Sequence, residues 1–349
     1  MRVYICHTYY HIYVALLKEC ALPDPGNADF LLSSYSNDFE NLHERLAASS
    51  LCRKAFSFEE HGEEFFSELK KWHVNRGAFL NLFQRIIYFR KQAKLLAPFI
   101  PVDLKQYEDI YVFCDSDPIG YYLNAFKIPY HALEDGLDCL RYYDTAKYDN
   151  RGMFPLKVWM AKHNIIFIQN GYAKYCLDME VNAIEQLMFP VPKVKEESRE
   201  KLADRLTKAQ KEMIIRIFLP DADKLIKQLE GLPKGKETVL ILTEPLCDME
   251  TRKRIFLDIS KEYGKDCVKI FKVHPRDVLD YRNVFPEDIV LAEKFPMEVL
   301  NFLPVSFDRV VSVFTVPDQI RFAKRKIFLG EDFMDRYEAP EIHRQNETI

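Results

Sequence analysis

What the 349-residue chain lacks narrows its function first. Its 11 glycines form no Gly-x-Gly-x-x-Gly and no P-loop, so the usual dinucleotide and ATP signatures are missing. The eight cysteines are scattered, with no Cys-x-x-Cys and no metal-ligand spacing. Cys6, Cys114 and Cys267 sit inside apolar runs, where a thiol behaves as a small hydrophobe. This pattern predicts reduced thiols and a cytoplasmic protein. No run of about twenty apolar residues exists, which excludes a spanning helix. The first six residues, Met1-Arg-Val-Tyr-Ile-Cys6, read as a strand and not as a signal peptide. Internal repeats and low-complexity tracts are also missing. A net charge of −4 gives no bulk attraction to nucleic acid.

What is present is a globular alternation. A hydrophobic content of 48% supports real cores, and the length suits two ordinary domains. The 26 Phe and 19 Tyr mostly serve those cores, with some left to line a binding cleft. Strands are expected at Val3–Cys6, Phe30–Ser33, Ile110–Cys114, Tyr130–Leu133 and Ile165–Ile168. Helices fall between them, including a long basic amphipathic one from Gly77 to Leu96. That helix reads as a domain helix with a solvated face, a membrane-surface role being the alternative. A charged helical stretch over Val194–Lys224 interrupts the pattern. It then restarts at Thr238–Thr243, Val268–Val273, Ile289–Leu291, Arg309–Val311 and Lys326–Leu329. Strand and helix in alternation mean parallel α/β sheets. The predicted division is 1–177, a helical connecting segment 178–235, and 236–349, with a site in the cleft between the two domains.

Chemistry-bearing residues gather where strands end, the edge at which such sheets bind ligands. Val268–Val273 runs out at His274-Pro275, and Pro275 cannot donate to a sheet ladder. An imidazole there can donate a proton near neutral pH. Lys272, two residues earlier, leaves the strand on the same face, and a cation beside a proton donor suits an anionic ligand. A surface His before a turn Pro is the plainer alternative. Glu134-Asp135-Gly136 offers paired carboxylates as a general base, with a glycine that permits close approach; it also fits a simple Asp-Gly turn. Asp248 is a second candidate base, or a helix N-cap. Glu298 at a helix start can hold ribose hydroxyls, or merely favour the helix dipole. Ser312 and Thr315, at a strand-to-helix turn, offer hydroxyls and N–H groups as a phosphate seat, or a Ser/Thr cap. Asp115-Ser-Asp-Pro118 has the spacing of a metal motif but reads better as a loop capping the next helix.

These residues, in this order, resemble the bacterial sialyltransferases of glycosyltransferase family 52, the lipooligosaccharide and capsule enzymes. The resemblance rests on an acidic-acidic-Gly motif, Glu134-Asp135-Gly136, in the first half and His274-Pro275 in the second. The spacing of Lys272, His274, Glu298 and Ser312/Thr315 adds to it, most strongly over residues 236–320. It implies a GT-B fold of two Rossmann-like domains, CMP-sialic acid as donor substrate, no cofactor and no metal. It also implies roles: His274 as the acid that protonates or stabilises the departing phosphate, Lys272 on the nucleotide, Glu298 on the ribose, and Ser312 and Thr315 on the phosphate. Asp135 or Asp248 would be the base. Val313 and Phe314 separate Ser312 from Thr315, a departure from a plain Ser-Ser or Ser-Thr pair.

The expected partners are a nucleotide-sugar donor and a glycan acceptor, with no nucleic acid, and with the protein peripheral to the inner membrane face. A transferase using another nucleotide sugar and a non-catalytic nucleotide- or glycan-binding protein are the rivals. Lys272, His274 and Glu298 together argue against the last. A homodimer is also expected, through the apolar stripe Leu202, Leu206, Met213, Ile214, Ile217 and Phe218 at near-helical spacing. A helical hairpin packed within its own chain is the alternative.

Overall fold

A parallel strand covered on both faces needs a nearly unbroken apolar run. Such runs form β1 (Arg2–Cys6), β2 (Ala28–Ser33), β4 (Asp109–Phe113) and β5 (Tyr130–Leu133). The computed structural model describes residues 1–72, 74–136, 140 and 145–343, and divides into two units, 1–206 and 207–349. The first unit adds β3 (Lys54–Phe58), β6 (Cys176–Val181) and β7 (Val194–Glu196). Its seven strands pair in parallel in the order β3-β2-β1-β4-β5-β6-β7. The second unit orders β8 (Thr238–Leu242), β9 (Val268–Lys272), β10 (Ile289–Leu291), β11 (Phe307–Ser312) and β12 (Ala323–Phe328) as β10-β9-β8-β11-β12, again parallel. This is the expected α/β architecture of the GT-B type, two Rossmann-like sheets.

Both sheets reverse their winding once, between β1 and β4 in the first and between β8 and β11 in the second. Such switch points open a crevice beyond the carboxyl ends of the strands, where ligands bind. The helices that matter in the first unit are α1 (Tyr9–Ala21), α2 (Ala78–Leu96), α3 (Pro118–Ala125), α4 (Phe154–Lys162) and α5 (Arg199–Arg205). In the second they are α6 (Lys208–Phe218), α7 (Ala222–Glu230) and α8 (Met249–Tyr263). No helix among the described residues is long and apolar enough to cross a membrane.

Several expectations are corrected. Residues 178–235 do not form a helical connecting segment of their own. Their first part holds most of β6 and all of β7 in the first sheet, and α6 and α7 belong to the second unit. The strand at β6 was hidden because its sequence, Cys-Leu-Asp-Met-Glu-Val, carries two acids. Glu180 points into the core, where Lys18 Nζ lies 2.7 Å and Arg199 Nη1 3.3 Å from its carboxylate. The strand expected at Ile165–Ile168 is a buried, non-strand run. Its carbonyls find side chains instead of a ladder: Arg90 donates to Ile165 O and Arg85 to Phe167 O. The apolar stripe assigned to self-association is spent inside the chain, with Leu202, Leu206, Ile214, Ile217 and Phe218 all buried.

Candidate active site

At the first switch point, His7 follows β1 and Asp115 and Asp117 follow β4, while Glu60 arrives beyond β3. Glu60 is buried and fully used. It accepts from Ser33 Oγ at 2.6 Å and from the Ile119 N–H at 2.6 Å, and its Oε2 lies 2.8 Å from His7 Nε2. It thereby caps α3, whose N-cap residue Asp117 makes no side-chain cap bond. Burial alone would lower the His7 pKa, but the Glu60 carboxylate outweighs it and raises the ring to about 9. Burial pushes Asp115 up to about 6 and Asp117 to about 7. Asp115 accepts from the Tyr130 hydroxyl at 2.9 Å and from the Asn170 N–H at 3.0 Å. Both of its oxygens therefore have structural work inside the fold.

Beside them lies a His–Asp pair that the sequence reading did not anticipate. His11, on the first turn of α1, is buried and stacks on Phe113 at 4.4 Å. Its Nδ1 accepts the His7 backbone N–H at 3.0 Å, so in the neutral ring the proton sits on Nε2, which donates to Asp135. Burial would raise the Asp135 carboxyl, but the charge and hydrogen bond of His11 hold it well below the usual carboxylate range. Its side chain stays 46% exposed, so the ionised oxygen reaches solvent. Glu134, one residue earlier, is turned inward. It is buried, its pKa is pushed up to about 7 by burial, and its Oε2 has no hydrogen-bond partner among the described residues. The two acids of the motif thus part ways. At Gly136 a Cβ would meet nothing within 4 Å among the described residues. His7, His11 and Cys114 bring ligand atoms within 4.8 Å of one another. Both His11 nitrogens are already bonded, however, so the trio is not an open metal site.

At the second switch point the His-Pro loop is held from several sides. The His274 N–H donates to Thr243 Oγ1 at 3.0 Å, and the Asp277 N–H closes a turn on His274 O at 2.9 Å, with Pro275 inside it. Arg252 anchors the far side, 2.6 Å from Asp277, while also binding the carbonyls of Leu246 and Cys247. His274 Nδ1 accepts the Arg276 N–H at 3.1 Å, which leaves Nε2 as the proton-bearing nitrogen of the neutral ring. Burial, then the charges of Arg276 and Lys272, lower this ring to about 4. Lys272 is buried rather than presented: its Nζ donates to the carbonyls of Val273 and Glu293 and lies 4.0 Å from the Phe295 ring centroid. Burial lowers it to about 7 and raises Glu298, half-buried on its 3₁₀ turn, to about 7.

The remaining expected positions behave differently. Asp248 caps α8, accepting from the N–H groups of Glu250 and Thr251 and from the Thr251 hydroxyl. These bonds, that from the Thr251 backbone foremost, keep it ionised below its ordinary range. Ser312 Oγ donates to Thr315 O at 2.7 Å, folding residues 312–315 into a turn. The N–H groups of Val313, Phe314 and Thr315 converge, but on Glu244, at 3.1, 3.0 and 2.9 Å. Glu244, directly after the residue that holds His274, was not singled out from the sequence. Its signal was a buried acid closing β8 just before Pro245.

Residues 64–327, more than half of the chain, match the model of glycosyltransferase family 52. The chain belongs to that family. Among relatives, an uncharacterized protein of Haemophilus influenzae is 32% identical over 114 residues, 31% of this chain; the match spans about a third (35%) of that protein's length. Among solved structures, an alpha/beta-galactoside alpha-2,3-sialyltransferase of Photobacterium phosphoreum aligns with a TM-score of 0.55 at 12% identity, over 94% of this chain and 89% of that one. A 2,6-sialyltransferase of a Vibrionaceae Photobacterium, solved with CMP and lactose, aligns at 0.57 and 13%, over 100% and 76%. At these identities the likeness is one of fold. In this family 52 chain the fold puts both switch points under groups that can move or hold protons and anions.

Proposed function

We propose that this family 52 member is an inverting sialyltransferase that moves sialic acid from CMP-sialic acid to a terminal sugar of a bacterial surface glycan, lipooligosaccharide or capsule, without a metal. The observation that carries this is the second switch point. There the Nε2–H of His274 and a convergent set of backbone N–H groups at 313–315 stand beyond β9 and β11, the two strands that flank β8, joined through Thr243 and Glu244 at the end of β8. A hydrogen-bond donor and an anion seat match the needs of a departing nucleotide phosphate. Support for the donor comes from the Photobacterium structure that holds CMP.

In the proposed step the acceptor oxygen attacks the anomeric carbon and the bond from that carbon to the phosphate oxygen breaks. The acceptor proton goes to Asp135, and CMP leaves with its charge held by hydrogen bonds. Asp135 is favoured over Asp248 because its half-exposed carboxylate is paired with the His11 ring, while Asp248 is consumed in a cap. It is a weak base, but in an oxocarbenium-like transition state the hydroxyl becomes acidic only late, when a weak base suffices. His274, neutral at pH 7, acts as a hydrogen-bond donor from Nε2. Lys272 contributes positive potential from beneath the loop, and Glu298 takes the ribose hydroxyls. The protein works at the cytoplasmic face of the inner membrane and as a homodimer. For the dimer, the exposed Phe79, Leu80 and Phe83 of α2 are the better surface.

A thermal-shift panel of nucleotides tests the donor. CMP should stabilise the protein, with transfer from CMP-sialic acid to lactose as the first acceptor to try. Stabilisation by UDP alone would replace sialic acid with another donor sugar, and glycan-only binding would remove catalysis.

A further inference from the structure

Resting on the phosphate reading of this site, we propose that Glu244 is a built-in stand-in for the donor phosphate, occupying the seat until a nucleotide displaces it. Three consecutive backbone N–H groups aimed at one point form an anion-binding concavity. In the structure the occupant is the Glu244 carboxylate, which takes all three, one of its oxygens receiving Val313 N, Phe314 N and Thr315 N at 3.1, 3.1 and 2.9 Å. The Thr315 hydroxyl adds a further bond to it. The turn that aims these donors is closed by Ser312 Oγ on Thr315 O, so the seat's shape does not depend on Glu244 alone.

A phosphate cannot share this seat with a carboxylate. Both carry negative charge, the site is buried, and like charges in a poorly screened interior repel strongly. Nor is the carboxylate at ease there: burial raises its pKa, opposed by the N–H groups that hold it. A phosphate brings more charge and more acceptor oxygens to the same donors, which favours exchange. The exchange needs only side-chain rotation, because the backbone of Glu244 is pinned by the Leu246 N–H on its carbonyl and by Pro245. The seat in the resting protein is therefore closed by its own chain, and donor affinity is reduced by the fraction of time it is closed.

The test is calorimetric titration of the full chain and of Glu244→Ala and Glu244→Gln with CMP, cytidine and inorganic phosphate. If the open seat is populated about a tenth of the time, both variants bind CMP about tenfold tighter, with cytidine unchanged. Weaker or unaltered CMP binding with unchanged cytidine overturns the proposal and makes Glu244 a fixed staple of the loop. If CMP is not bound by any of the proteins, the donor assignment fails, and inorganic phosphate still decides. Uptake by Glu244→Ala but not by the unmutated chain upholds displacement, and no uptake by either overturns it. Should both variants fail to fold, the unmutated chain answers. The amide resonances of Val313, Phe314 and Thr315 must shift on titration with CMP, and resonances that stay put while CMP binds overturn the proposal.

Discussion

Replacing His274 while scanning pH separates two ways in which an imidazole can help a phosphate leave. With burial and two neighbouring cations lowering the ring to about 4, only about one molecule in a thousand carries imidazolium at pH 7 in the free protein. If catalysis required that species, kcat/KM would fall about tenfold for every pH unit above 4, because kcat/KM reports ionisations of the free protein. If the neutral ring donates from Nε2, kcat/KM is flat between about pH 5 and 8 with respect to this group. The geometry calls for the flat profile. The donor's phosphate is a diester and does not titrate in this range, so it adds no limb of its own. Losing a hydrogen bond to a charged group costs about 1.5–3 kcal/mol, or roughly 10–150-fold in rate. His274→Ala should lose at least that much, and His274→Gln, which keeps an N–H, should lose less. CMP release from CMP-sialic acid, followed from pH 5 to 9 in the three proteins, is the assay. A basic limb near pH 6–7 in the unmutated protein that disappears in both variants would refute the neutral-donor reasoning. Unchanged turnover in His274→Ala would remove the residue from the reaction.

Other outcomes follow from the same geometry. Asp135→Asn should lose roughly 10²–10⁴ in kcat with little change in donor affinity, whereas Asp248→Asn should lower Tm modestly and leave kcat near normal; the reverse pattern would exchange their roles. His11→Gln should weaken the hold on the Asp135 carboxylate, so that an acidic limb rises toward pH 4 in kcat/KM. Arg252→Met leaves the buried Asp277 carboxylate without its cation, with only the Leu279 N–H and the Tyr281 hydroxyl to hold it, and should destabilise the protein by about 3 kcal/mol, read by chemical denaturation. Transfer should survive EDTA; loss that added divalent metal restores would recast Asp115 and Asp117 as ligands. Light scattering should report a dimer that Phe79→Asp splits, and a monomer at tens of micromolar would end that idea.

The legible parts of this chain were those where one physical signal acts alone. Apolar runs such as Val239–Leu242 and Ile270–Phe271 announce buried parallel strands, and the His-Pro step ends one because proline cannot extend a ladder. Hidden parts were those where two signals cancel. β6 looked like a polar segment because Glu180 is compensated by Lys18 and Arg199, partners far away in sequence. Ile165–Ile168 looked like a strand because hydrophobicity reports burial and not pairing, and only Arg85 and Arg90 reveal how its carbonyls are satisfied. The candidate site shows the same division. His274 and Asp135 were visible as polar residues at strand ends. His11 and Glu244 were not, since a His inside a helix and a Glu before a proline acquire meaning only from what the fold sets against them.

The Lys18–Glu180–Arg199 cluster bears on how the protein can be taken apart. Arg199 opens the short helix that follows the last strand of the first sheet, yet its head group lies buried against Glu180 and the Glu197 carbonyl. A fragment stopping at residue 177 would lack most of β6, strip Lys18 of its acid and leave that buried cation of α1 stranded. One stopping at residue 198 would keep the acid but lose its second cation. The first half keeps this cluster whole only when it runs past Arg199, and its unit ends at Leu206, so genetic fusions or split-protein reporters should be joined there.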